Sequence, residues 1–123
     1  MLTVGSVVGL AREVLQDTFP ESYRWTDVML FRYAFDARRQ LNAVRPATCY
    51  NGVDLIRYDY PTVLDGDDAQ AQYGGHDLLL DERWRECLSA YVCYRAFILD
   101  ASDTANLNLA SVQHTRFREL AGL

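Results

Sequence analysis

The sequence predicts a mainly α fold, a small antiparallel bundle of three to four helices with a long central loop or β-hairpin. Three observations point there. Four stretches carry apolar residues at helical spacing. Two of them open on a capping residue followed by an acid, at Thr26-Asp27 and Asp81-Glu82. Residues 46–80, between the second and third stretches, lack that period.

The first helix is expected from about Thr3 to Asp17, with Val7, Leu10, Ala11, Val14 and Leu15 recurring along it. Thr3 is its N-cap, and Phe19-Pro20 ends it. Gly5 and Gly9 lie one turn apart and weaken the helix unless something packs closely on them. The second helix has the clearest pattern. In "RWTDVMLFRYAFDARRQLNAVRP", Thr26 caps, Trp25 can staple onto Leu30, and Leu30, Ala34, Ala37, Leu41 and Val44 form a seam. Phe31 and Phe35 make a neighbouring ridge, and Arg45-Pro46 stops the run.

Residues 46–80 form an irregular or hairpin arm between helices. Asn51-Gly52 sits between β-prone flanks, a strong two-residue hairpin signal. After Pro61 the text "LDGDDAQAQYGGHD" reads as a loop, long enough for such a small domain that it is expected to become ordered on a partner. The third helix is expected from about Asp81 to Ala101, with Trp84, Leu88, Tyr91, Arg95 and Ile98 on one face and Cys87, Tyr94 and Ala101 beside it. Val92, Cys93 and Phe97 fall outside that arc, so the helix is apolar on more than one side. In a domain this small, the second side is expected to be covered by another subunit. Ser102 or Asp103 caps a fourth helix to about Ala121, with Leu107, Ala110, His114, Phe117 and Ala121 in register. No Gly or Pro enforces the break, so one long bent helix is the alternative.

Composition bounds the function. A chain of 123 residues is expected to form one domain, 1–123, with a core of its own. Its apolar runs fall far short of the ~20 residues of a membrane span, and its start lacks a secretory signal pattern. Its 12 basic residues are all arginine, which fits either a GC-rich genome or interfaces built on bidentate pairing and stacking. The net charge is −5, and residues 46–81 hold seven acids against one arginine. Such a chain is poorly suited to gripping nucleic acid, although an acidic surface can line a path along which DNA slides.

Nothing marks catalysis. Cys49, Cys87 and Cys93 lack metal-ligand spacing and read as free, mostly buried thiols. His114 lies on an apolar face and reads as a core histidine, and His76 follows Gly74-Gly75 without the lysine of a phosphate-binding loop. Asp65, Asp67 and Asp68 lack the spacing and terminal Glu of a calcium loop. No catalytic residue, cofactor or metal is expected. Arg38-Arg39 and the Arg83/Arg85 pair raise a helix-turn-helix reading, against which the acidity argues.

The chain resembles the small helical head–tail connector, or adaptor, proteins of tailed bacteriophages. The likeness rests on Leu15, Asp17, Trp25, Thr26, Leu30, Ala37, Leu41 and Arg45-Pro46, and later on Trp84, Leu88, Tyr91, Tyr94, Arg95, Ala96, Asp100 and Phe117. The middle segment is shorter and more acidic than in such proteins. The resemblance implies a non-enzymatic virion protein, made in the host cytoplasm. It would form a dodecameric ring on the portal protein, extend the DNA channel without sequence-specific DNA binding, and offer a docking platform to tail-tube or nozzle proteins. In that setting Phe31, Phe35, Val92, Cys93 and Phe97 would bury the core and neighbouring subunits. Arg116, Phe117, Arg118 and Leu120 would meet the portal, and an arm bearing Asp54, Asp59, Asp65, Asp67 and Asp68 would face the tail or lumen. The rival readings are a helical interaction or regulatory domain and a DNA-binding regulator.

Overall fold

The computed structural model describes residues 1–19, 21, 23–46, 61–99 and 104–122. The fold is mainly helical: α1 (Val4–Leu15), α2 (Asp27–Val44), α3 (Ala69–Tyr73), α4 (Arg85–Leu99) and α5 (Thr104–Leu120). A 3-10 turn, Glu82–Trp84, leads into α4. Among the described residues the β structure is limited to one antiparallel bridge between Thr3 and Asp77. The hairpin expected around Asn51-Gly52, and the joint at Ser102 and Asp103, lie outside the described residues.

Local chemistry sets the helix starts where the sequence places them. The Thr3 hydroxyl accepts the Ser6 amide at 3.2 Å, and the Thr26 hydroxyl accepts the Met29 amide at 3.2 Å. Each satisfies a donor that the first turn leaves without a partner. The Asp81 carboxylate accepts the Arg83 amide at 2.9 Å and so caps the 3-10 turn. At the far end of α1, Gln16 turns into left-handed geometry at φ 56°.

The segment after Pro61 corrects an expectation. It does not wait for a partner: Val63, Ala69 and Leu78 are buried against the bundle. Asp68 accepts the Ala71 amide and nucleates α3 inside the stretch read as loop. The contact that seats it is a close backbone approach. The Gly5 amide donates to the Gly74 carbonyl at 2.9 Å, and a Cβ at Gly5 would stand 2.6 Å from that oxygen. Gly5 therefore earns its place in the helix through packing. Gly9, one turn on, faces open space.

At the centre lies α4, which packs on α1, α2 and α5. Ser89 donates its hydroxyl to the Val7 carbonyl and the Cys93 thiol reaches the Ala11 carbonyl, so α1 runs parallel to α4. Trp25 donates its indole N–H to the Ala96 carbonyl, and Arg95 lies over Tyr33, so α2 runs antiparallel to α4. The Cys87 thiol faces the Phe117 carbonyl while Tyr94 meets His114, so α5 is antiparallel as well. Directions thus alternate through α1, α2, α4 and α5, as in an up-and-down bundle.

That arrangement overturns the idea that α4 needs a second subunit. Phe31, Phe35, Val92, Cys93 and Phe97 are all buried inside one chain, because α4 is enclosed by three helices of its own molecule. Phe117, assigned to the portal, is buried too; its ring packs on Tyr91 at 5.2 Å. None of the six is available as interface.

Candidate functional site

The side chains singled out for chemistry are put to structural use. Burial pushes the Cys87 and Cys93 thiols up to about 12, so neither is a nucleophile or metal-binding thiolate near neutral pH. His114 stacks beside Tyr94 at 4.7 Å, and His76 meets the Phe35 ring edge-on at 5.4 Å. Among the described residues no group of three or more His, Cys, Asp or Glu side chains converges on a point.

Arginines that suggested DNA contacts are spent on the fold. Arg38 is fully buried; it donates to the Leu78 carbonyl at 3.0 Å and to Asn42, tying α2 to the segment before α4. Arg39 pairs with Asp36 at 2.8 Å and Arg85 with Glu82 at 3.2 Å. Sequence reasoning missed a further arginine. Arg12, buried at the end of α1, bridges Asp17 at 2.9 Å and Asp27 at 2.6 Å, and its guanidinium stacks on Tyr23. Asp17 also accepts the Arg24 and Trp25 amides, so one carboxylate fixes the turn between α1 and α2. The available signal was an acid five residues beyond an arginine, just past a helix end.

Of the acidic arm, Asp54 and Asp59 lie outside the described residues. Asp65, Asp67 and Asp68 shape one tight turn. The Asp67 amide donates to the Leu64 carbonyl at 3.1 Å, and the Asp67 carboxylate accepts the Leu64 amide and the Tyr73 hydroxyl, both at 2.8 Å. That carboxylate pushes the Tyr73 phenol above its ordinary value, chiefly through the hydrogen bond. Gly66 supplies the left-handed residue at φ 89°. Arg32 holds the turn to α2, donating to the Val63 carbonyl at 2.7 Å and reaching Asp65 at 3.2 Å. Val63 points inward and Leu64 outward, 57% exposed between the acids.

Single exposed apolar side chains such as Phe19, Leu79 and Leu99 are scattered over the molecule, and a row of them lies on α5. Its inner face buries Ala110, Phe117 and Ala121 against α4, whereas Leu109, Val112 and Leu120 stand 44%, 60% and 40% exposed. Ala105, Leu109, Val112, Arg116 and Leu120 follow one another at steps of four, three, four and four, so these exposed residues share a stripe. Arg116 sits within it and reaches Glu86 at 3.5 Å. Leu107, expected on the buried register, is exposed, because its level lies past the end of α4. Where the stripe ends, Arg45, Arg83, Trp84, Leu120 and Gly122 line an open groove of about 330 Å³. Arg83 and Arg45 lie 5.4 and 5.9 Å from the Trp84 ring centre, and Arg45 also donates to the Ala121 carbonyl at 2.9 Å, closing the end of α5.

Comparison with protein-family models, curated proteins and solved structures finds no match. No helix among the described residues is long and apolar enough to cross a membrane.

Proposed function

We propose that this protein is a structural component of the head–tail junction of a tailed bacteriophage. Its copies form a ring on the portal, continue the DNA channel, and present a docking platform to tail proteins. The observation that carries the reading is the outer face of α5. The bundle covers the middle of α4 with its own helices, yet leaves Leu109, Val112 and Leu120 in solvent along one stripe of α5, a surface that gains by being covered. The resemblance of the helical segments to connector proteins supplies the setting. The exposed acids at Asp65 and Asp68 suit a lumen-facing or tail-facing position, since fixed carboxylates repel a passing phosphate backbone.

The test is assembly. Incubation of the purified protein with the portal encoded beside it, followed by negative-stain imaging, is expected to show rings capping the portal. A chain that leaves the portal bare at every concentration would overturn the proposal. A salt-sensitive affinity for duplex DNA in its place would point to a regulator.

A further inference from the structure

Two patches on this chain are opposite in charge, and each presents an exposed apolar side chain. One is the turn at 64–67, a convex tip with Leu64 at its crest and Asp65 beside it, held rigid by the Asp67 hydrogen bonds and by Arg32. The other is the groove walled by Trp84 and Leu120 and flanked by Arg45 and Arg83. Among the described residues no acid lines that groove, and the nearby Glu82 is taken by Arg85. The turn offers an apolar side chain among carboxylates, and the groove offers an apolar floor between guanidiniums.

We infer that the occupant of the Trp84 groove is the 64–67 turn of a second copy of this chain. The pairing cannot form within one molecule. Arg32 fixes the turn beside the first half of α2, whereas Arg45 stands at that helix's C-terminus, about 20 Å further along at ~1.5 Å per residue. The contact is therefore head-to-tail: each copy gives a turn to one neighbour and a groove to the next. Such heterologous contacts propagate, closing into a ring when the rotation per copy allows it. Leu64 and Leu120 lose solvent together, and Asp65 meets Arg83 across the rim, where charge chiefly sets register and encounter rate.

This inference deepens the ring proposal and rests on it, and complementation tests it separately. One variant loses the tip (Leu64→Ser with Asp65→Asn) and another loses the groove (Arg83→Glu with Leu120→Ser). All four side chains are exposed, so both variants are expected to fold, as circular dichroism checks. Sedimentation velocity of each alone, at low salt, is expected to show self-association weakened by roughly tenfold or more. A one-to-one mixture retains one intact contact and is expected to yield dimers that grow no larger. If wild-type rings form on the portal while both variants assemble as the wild type does, or the mixture forms nothing beyond either variant alone, this contact is overturned and the ring proposal stands. If the wild type forms no rings, both fall together.

Discussion

Helices α4 and α5 lie side by side, yet their apolar residues end in opposite circumstances. On α4, Cys87, Leu88, Ala90, Val92, Cys93, Ala96 and Phe97 are buried, against α1, α2 and α5. On α5 one narrow face is sealed and another carries leucine and valine into solvent. The difference teaches that a helix apolar all round marks the middle of a bundle. The peripheral helix instead splits its apolar residues into two stripes and, among the described residues, has a neighbour for only one of them.

The thiols of α4 give the largest contrast with a solvent-facing helix. With Cys87 and Cys93 pushed up to about 12 from an ordinary 9.0, their thiolate fraction at pH 8 falls by roughly a thousandfold, a decade per pKa unit. In a Cys49→Ser background, Ellman's reagent is expected to leave the native protein almost unlabelled and to titrate both thiols at once in denaturant. Rapid native labelling would show that α4 opens to solvent. The linkage has a definite sign. Both thiols are protonated in either state below about pH 8. From pH 9 upward the unfolded chain loses those protons first, so stability declines as pH rises towards 12.

Next in size is the inner face of α5. Phe117→Ala removes the ring that packs on Tyr91 and is expected to cost about 4 kcal/mol by urea unfolding, the transfer loss plus a cavity. A cost under 1 kcal/mol would mean that α5 is not docked on α4. Asp17→Ala follows, at about 3 kcal/mol. It leaves the buried Arg12 with Asp27 alone and frees two amides at the turn that sets α1 against the core. Equal stability of wild type and variant would show that the α1–α2 turn holds without the ion pair.

Much of this was legible from sequence where the cause is local. Thr3, Thr26 and Asp81 cap as their positions announce, because a cap involves residues only two or three apart. Pro46 stops α2 for an equally local reason. Periodicity likewise gave the inward face of α5 through Ala110, Phe117 and Ala121. What periodicity cannot say is who covers a face. Val92, Cys93 and Phe97 read as surplus because the coverage by α1, distant in sequence, depends on contacts such as Ser89 with the Val7 carbonyl. Arg38 read as a candidate DNA contact and Arg12 drew no notice for the same reason, since their burial depends on a carbonyl and a turn outside their own helices. The short α3 was hidden because five residues carry too little period to separate from loop.

The paired glycines of α1 sharpen the contrast between covered and uncovered surface within a single helix. Gly5→Ala forces a methyl against the Gly74 carbonyl and is expected to cost about 2 kcal/mol, since backbone on both sides must yield. Gly9→Ala meets open space and is expected to add about 1 kcal/mol, the helix propensity of alanine over glycine. Thermal unfolding of the two variants should therefore move in opposite directions. A shift of the same sign in both would remove the close approach of α1 to the 74–76 segment.

The smallest expected effect bears most directly on function. Val112→Ser lies on the outer stripe of α5, 60% exposed, and a substitution there is expected to change the unfolding free energy of the single chain by no more than about 0.5 kcal/mol. Serine and valine have similar helix propensities, so α5 itself is left as it was. Val112 therefore contributes little to the fold while holding an apolar side chain in solvent. Under the ring proposal, the effect of the substitution is expected when the portal is added. Ring formation on the portal, scored by particle counting on negative-stain grids, is expected to fall for Val112→Ser while its urea midpoint stays with the wild type. A midpoint that drops in step with assembly would instead place Val112 inside the fold, and the division between the sealed α4 and the open α5 would not hold.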